Sequence, residues 1–308
     1  MKTSTFGFKD HDGLEIFVYK WAPDEKAKGA VQIAHGMAEH AGRYGRPAEA
    51  LVRAGYAVYA ADHRGHGKSA ASPEEKGDLG PGGWQSLLRD MRQLSDIVVK
   101  ENQGLPLFLL GHSMGSFLTQ QYIQQGSNAL KGAILSGTNA KDSAIGLFIG
   151  RLIAKSGAKK QGPNAPCTAL NKSIFGGYNK QFEPAKTAFD WLSRDGAEVQ
   201  KYIDDPWCGF VCPNSFYIEL LTALSSLWKP ANEAQIRKDL PVFLFSGTRD
   251  PVGKNGQGVT ALYDRYRKLG IRDVAIKLYP DGRHEMFNET NREDVYRDLV
   301  DWLNAHSA

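Results

Sequence analysis

Short continuous apolar runs alternate along this chain with stretches that carry apolar residues at helical spacing, and that alternation restricts the fold more than any other feature. Residues 14–22 (LEIFVYKWA) and 30–35 (AVQIAH) read as strands, 45–54 as a helix closed by Gly55, and 56–61 (YAVYAA) as a further strand. A helix at 84–101, a strand at 106–112 (PLFLLGH), a helix at 115–125 and a strand at 131–137 (KGAILSG) continue the rhythm. Strands with no polar alternate are covered on both faces, so the pattern predicts an α/β fold with a mostly parallel sheet between helices. The rhythm stops after Gly137. From 138 to 235 no run reads as a strand, and helical stretches at 143–156, 183–194 and 214–227 alternate with loops rich in Gly, Pro and Asn. It resumes with a strand at 241–247 (PVFLFSG), a helix at 256–269, a strand at 274–280 (VAIKLYP) and a closing helix at 290–305. The expected organisation is one α/β core, 1–137 and 236–308, carrying a helical insertion at 138–235.

Composition narrows what such a core can do. With 42% hydrophobic and 23% charged residues the chain can bury a sizeable interior. Its 38 basic against 34 acidic residues leave a net charge of +4 with no long basic stripe, which argues against a nucleic-acid partner. Three cysteines do not make a disulfide framework and read as free thiols in a reducing compartment. The N-terminal MKTSTFGFKDHDG lacks the apolar run of a secretory signal, and no stretch of 18 apolar residues occurs, so a cytoplasmic protein is expected.

The chemistry begins at Gly111-His112-Ser113-Met114-Gly115, a G-x-S-x-G between the apolar run PLFLL and a helix. Strand, sharp turn and helix are what a nucleophile elbow requires: small residues let the turn close, and the helix aims N–H groups at the serine. A serine hydroxyl needs a base, and the base an orienting acid, following in that motif as acid then histidine. Downstream of Ser113 only His284 and His306 are available, and His306 lies too near the terminus to be expected in order. His284 follows the strand 274–280, and Asp250 follows the strand 241–247, so both sit where open α/β sheets carry functional residues. Ser113, Asp250 and His284 are therefore the candidate nucleophile, acid and base. The loop His35-Gly36-Met37-Ala38-Glu39-His40 supplies the second N–H of an oxyanion hole, from Met37, beside that of Met114.

Two other motifs fail on inspection. DHRGHGKS (62–69) has the GKS of a phosphate-binding loop, but Asp62 stands where the first glycine is needed and no helical pattern follows. His35, His40, His63 and His66 gather after two strands without the spacing of a metal-hydrolase site, and their expected role is bracing of loops. No metal or cofactor is expected.

HGMAEH (35–40), DHRGHGKS (62–69), GHSMGS (111–116), SGTRDPVG (246–253) and GRHEMFNE (282–289), in this order, resemble the α/β-hydrolase superfamily and in particular its monoacylglycerol lipase and lysophospholipase-like group, the serine aminopeptidase S33-type hydrolases. The segment 191–210 is similar to the cap of that group. The resemblance implies the α/β-hydrolase fold with a helical cap inserted after the sixth strand, the triad and oxyanion hole named above, and hydrolysis of single-chain acyl esters, commonly monoglycerides, without a cofactor. Ser116 departs from the group's usual glycine; Gly115, the tight position, is kept.

The insertion carries what can be read of the substrate. In 143–154 (SAIGLFIGRLIA) Ile145, Leu147, Phe148, Ile149, Leu152 and Ile153 make a helix apolar over most of its surface, followed by Lys155, Lys159 and Lys160. Such a helix either packs on the core or receives acyl chains and touches a lipid surface transiently; Phe148, Ile149 and Met286 are the candidate substrate contacts, and Met286, like Met37 and Met114, either lines an apolar pocket or simply packs near the site. Lysophospholipase or general esterase activity is the nearest alternative. An aminopeptidase would need a cap acid for a substrate ammonium, for which Glu183, Asp190, Asp195, Asp204 and Asp205 are available.

Overall fold

The structure, a computed structural model, describes residues 1–70, 72–141 and 143–307. Eight strands form one sheet: β1 (Lys2–Lys9), β2 (Glu15–Ala22), β3 (Gly29–Ala34), β4 (Tyr56–Ala61), β5 (Leu107–His112), β6 (Leu130–Ser136), β7 (Val242–Gly247) and β8 (Val274–Tyr279), in the order β1-β2-β4-β3-β5-β6-β7-β8. The pairs from β4 through β8 are parallel; β2 joins β4, and β1 joins β2, antiparallel. The helices of this part are α1 (Gly45–Arg53), α2 (Gly83–Glu101), α3 (Met114–Gln124), α9 (Gln257–Lys268) and α10 (Arg292–Ala305). This is the α/β-hydrolase fold. Strands β3, β5 and β7 are buried at every position, which is why they carry no polar alternation. Each side chain therefore packs against one helical layer or the other, and two clusters result. One joins the sheet to α2, α3 and helices from the segment between β6 and β7; the other joins it to α1 and α10 through Phe108, Phe243, Phe245 and Trp302.

Between β6 and β7 the described residues form α4 (Ala144–Gln161), α5 (Thr168–Phe175), α6 (Gly196–Asp204), α7 (Asn214–Leu227) and α8 (Pro230–Glu233) and no named strand. Gly150 lets α4 lie close to α7: a Cβ there would stand 2.9 Å from Leu221. No helix among the described residues is long and apolar enough to cross a membrane.

Three local expectations are corrected. Residues 183–194 form no helix. Asp190 accepts the N–H groups of Lys186 and Thr187, and the Thr187 hydroxyl accepts that of Phe189, so side chains take the amides that a helix would use. The strand β1 was not anticipated; it is an edge strand, largely exposed, with Phe6 and Phe8 packed against the core. His306 is held in place: its Nδ1 lies 2.6 Å from the Trp302 carbonyl oxygen and its Nε2 2.9 Å from Asp273. Asp273 immediately precedes β8, so His306 sits at the opposite end of the parallel strands from the elbow.

Candidate active site

The last residue of β5 and the first of α3 flank Ser113, which turns the chain with φ 52° and ψ −119°. A positive φ at a residue with a Cβ costs about 1–3 kcal/mol and persists where surroundings enforce it. Here the Ser113 N–H donates to the Ser136 carbonyl at 2.9 Å, and the Ser113 carbonyl accepts the Ser116 N–H at 2.8 Å and the Ser116 hydroxyl at 2.6 Å. Ser116, the departure from the group's glycine, thus braces the elbow. Gly115 has no room for a side chain: a Cβ would collide with the carbonyl oxygens of Ala34 and His35. That close approach sets α3 against the loop after β3. A Cβ on Gly36 would lie 3.3 Å from that of Ser113.

His284 and Asp250 meet at the same rim. His284 Nδ1 lies 3.0 Å from Asp250 Oδ1, both side chains being buried. Asp250 is fixed in turn by the Ser246 hydroxyl at 2.7 Å and the Val252 N–H at 2.9 Å. An ionised carboxylate only accepts, so Nδ1 carries the proton and Nε2 is left as the ring's basic atom. The ring lies over Gly137, whose Cβ, if present, would be 2.9 Å from His284 Cε1. Gly137 directly follows Ser136, the residue bound to the Ser113 N–H, so the imidazole is brought to the elbow. The Ser113 hydroxyl itself makes no hydrogen bond among the described residues, the loose arrangement common before substrate binds.

Electrostatics separate the histidines of this region. Burial lowers the pKa of His284, but the charge and hydrogen bond of Asp250, with the charges of Glu285 and Glu39, outweigh it and the net shift is upward. Burial raises that of Asp250, yet His284, Ser246 and the Val252 N–H bring it below the ordinary carboxylate range. His112, whose ring centroid is 4.8 Å from that of His284, has no such partner; burial and the neighbouring imidazole take it down to about 4. The Trp191 ring, from the segment between β6 and β7, lies tilted against that of His284 with 5.1 Å between centroids.

Met114 directly follows Ser113, and Met37 directly follows Gly36, whose Cβ position lies close to Ser113; neither amide has a partner among the described residues. Phe148 and Ile149 lie on the outer face of α4, 54% and 50% exposed, beside Ile145 at 72%. Met286 is fully buried among Phe245, Tyr279 and Phe287, and a Cβ on Gly282 would meet its sulfur at 2.6 Å; its position is one of packing.

Several contacts near the site were invisible in the sequence. Arg43 donates to Glu39 at 2.6 Å and to both oxygens of Glu285 at 2.7 Å, tying the loop after β3 to the residue next to His284. Burial alone would raise Glu285, but Arg43 draws it down to about 2. The backbone of 191–192 accepts the N–H groups of His284 at 3.3 Å and Glu285 at 2.7 Å. Among His35, His63, His66 and His40, the first three are buried and held neutral, while His40 hydrogen-bonds Asp205 at 2.8 Å. The rings of His35 and His40 link loops, whereas the Nε2 atoms of His63 and His66 have no partner among the described residues. Two groups bring metal-binding atoms within 4.8 Å of one another, His40–Asp205–Cys208 and Asp10–His11–Asp90. Arg64 already occupies Asp10 and Asp90.

A family model described as "Serine aminopeptidase, S33" matches residues 25–291. The chain belongs to that family. This S33-family protein is 30% identical to the monoacylglycerol lipase of Mycolicibacterium smegmatis over 98% of both chains. It is 25% identical to the human monoglyceride lipase over 96% of this chain and 89% of the relative. Among solved structures it is similar to a thermostable carboxyl esterase from Bacillus coagulans in complex with glycerol, with a TM-score of 0.91, 27% identity and 99% of each chain covered. A monoglyceride lipase from Saccharomyces cerevisiae in complex with a substrate analog has the same fold, with a TM-score of 0.78 at 22% identity, covering 100% of this chain and 96% of that one. The S33-family protein is a carboxylic-ester hydrolase.

Proposed function

We propose that this hydrolase cleaves single-chain acyl esters, monoglycerides foremost, through an acyl-enzyme on Ser113. The observation that carries the reading is the buried hydrogen bond between His284 and Asp250 beside the strained Ser113 elbow. His284 Nε2 takes the proton of Ser113 as its oxygen attacks the ester carbonyl, and Asp250 holds the imidazolium that forms. The oxyanion collects between the N–H groups of Met37 and Met114. His284 then protonates the departing alcohol, and a water molecule repeats the sequence on the acyl-enzyme. The monoglyceride preference comes from the relatives named above, and the glycerol in the esterase complex is consistent with a small alcohol leaving group.

Residues 138–235 serve in this reading as a cap over a core of 1–137 and 236–308. Its outer helix α4 exposes Ile145, Phe148, Ile149, Leu152 and Ile153, with Lys155, Lys159 and Lys160 farther along the helix. Exposed apolar side chains in one patch with basic residues nearby suit transient contact with a lipid surface, and Phe148 and Ile149 are its centre. Of the cap acids, Asp190, Asp195, Asp204 and Asp205 are engaged by Thr187, Arg292, Gln200 and His40, which leaves Glu183 as the acid that an amide hydrolase would use for a substrate ammonium.

Initial rates on esters of increasing chain length, monoglycerides, lysophospholipids and aminoacyl amides test the reading. It requires the highest kcat/KM on monoglycerides. Faster turnover of aminoacyl amides than of any ester would overturn it.

A further inference from the structure

Glycine at position 36 leaves the loop that carries the Met37 N–H with the freest hinge a backbone can have. A single flip of the Gly36–Met37 peptide would point a carbonyl oxygen, instead of an N–H, at the place where negative charge gathers. Something must prevent it, and the surrounding contacts identify what does.

We infer that His35 is a positioning residue for the oxyanion hole: held as its Nδ1–H tautomer, it pins the Gly36 carbonyl and so turns the Met37 N–H toward Ser113. This rests on the proposed role of Ser113.

The tautomer follows from the partners. His35 Nε2 lies 2.9 Å from the backbone N–H of His63. A backbone amide can only donate, so Nε2 presents its lone pair. His35 is completely buried, and burial with the imidazoles of His63 and His66 beside it keeps the ring neutral. The one ring proton is therefore on Nδ1, which lies 2.7 Å from the Gly36 carbonyl oxygen and donates to it. The Gly36 C=O and the Met37 N–H belong to one planar trans unit and point in opposite directions. Fixing the first fixes the second.

The preceding peptide is clamped independently. The Gly36 N–H donates to Glu39 Oε1 at 2.6 Å, and Tyr44 at 2.9 Å and Arg43 at 2.6 Å hold that carboxylate. With both peptides around Gly36 occupied, the Met37 N–H is the group left over, and it has no partner among the described residues. The arrangement also gives a purpose to the loop after β4, which resembled a phosphate-binding loop and is none: its His63 amide dictates which nitrogen of His35 carries the proton.

The test separates the two ring nitrogens. In His35→Asn the side-chain amide can donate near the position of Nδ1; in His35→Gln the amide reaches toward the position of Nε2 and the Nδ1 donor is lost. On a soluble short-chain ester, His35→Gln lowers kcat by about 10- to 100-fold with KM within about two-fold, since a misdirected oxyanion donor is felt in the transition state. A boronic acid, whose adduct on Ser113 imitates the tetrahedral oxyanion, loses affinity by the same factor. His35→Asn retains more of both. A folded His35→Gln with wild-type kcat, or one whose loss lies wholly in KM, overturns the proposal, as does an Asn variant no better than Gln. Should neither variant fold, ¹⁵N NMR of the wild-type protein with labelled histidine decides. The proposal requires a His35 proton on Nδ1 and a bare Nε2 at neutral pH, with no second proton taken up near the ordinary histidine value of 6.5; a proton on Nε2 overturns it. Fluorophosphonate labelling of the wild type keeps the two readings apart. If Ser113 takes no label, the hydrolytic assignment falls and this one with it; if it does and His35→Gln is unimpaired, only this one falls.

Discussion

Two buried imidazoles stand at the elbow on neighbouring loops and behave in opposite ways. His35, after β3, touches backbone amide, backbone carbonyl and other imidazoles, and burial holds it well below the ordinary histidine range. His284, after β8, is equally buried, but Asp250 faces it and its pKa moves up. The side chain and the degree of burial are the same; the chemistry of the partner decides whether the ring is a fixed strut or a base. A further contrast lies between this rim, where the buried carboxylates of Asp250, Glu39 and Glu285 are each held by more than one partner, and the outer face of α4, where Phe148 and Ile149 stand exposed.

The account is broken most readily at its largest effect. Ser113→Ala removes the nucleophile and is expected to lower kcat by about 10⁴-fold or more while substrate still binds. Turnover within ten-fold of wild type, measured on the same ester, contradicts it.

Asp250→Asn sharpens the contrast between the imidazoles. It keeps the shape of the acid but removes the charge, so kcat falls by about 10²- to 10⁴-fold. The pH profile carries the sign. A base must be unprotonated, so wild-type kcat/KM falls as pH drops through the raised pKa of His284, above its ordinary 6.5. Without the Asp250 charge the strongest upward influence is gone and only Glu285 and Glu39 act against burial, so that pKa falls and the acid limb moves toward lower pH. A limb that stays in place or moves upward contradicts the assignment of the pair.

The smallest effect belongs to α4. Replacing Phe148 and Ile149 together by Ser is expected to weaken association with anionic vesicles by about ten-fold or more, because each fully buried apolar side chain contributes about 1.5–3 kcal/mol. Rates on a soluble short-chain ester stay within about two-fold. Unchanged vesicle binding in sedimentation removes the lipid-surface reading and leaves the rim untouched.

How much of this was legible in the sequence depended on distance along the chain. The elbow was legible because an apolar strand, three small residues and a helix are contiguous from Leu107 to Gln124. Asp250 and His284 were legible because each follows a readable strand, and parallel strands bring their C-terminal ends to one edge. The link from Arg43 to Glu285 spans 242 positions and leaves no local pattern, and the same holds for Trp191 over His284. The segment 183–194 misled because its apolar spacing suits a helix, whereas its Thr and Asp side chains compete for the amides. Met286, two residues past His284, suits either a pocket wall or packing from the sequence alone, and its full burial favours packing.

The central claim is that Ser113 is made nucleophilic by His284, and reaction with a fluorophosphonate followed by peptide mapping tests it most directly. The account predicts one adduct, on Ser113, in the wild-type protein and almost none in His284→Ala. An adduct on another residue, or equal labelling of Ser113 without the histidine, would contradict it.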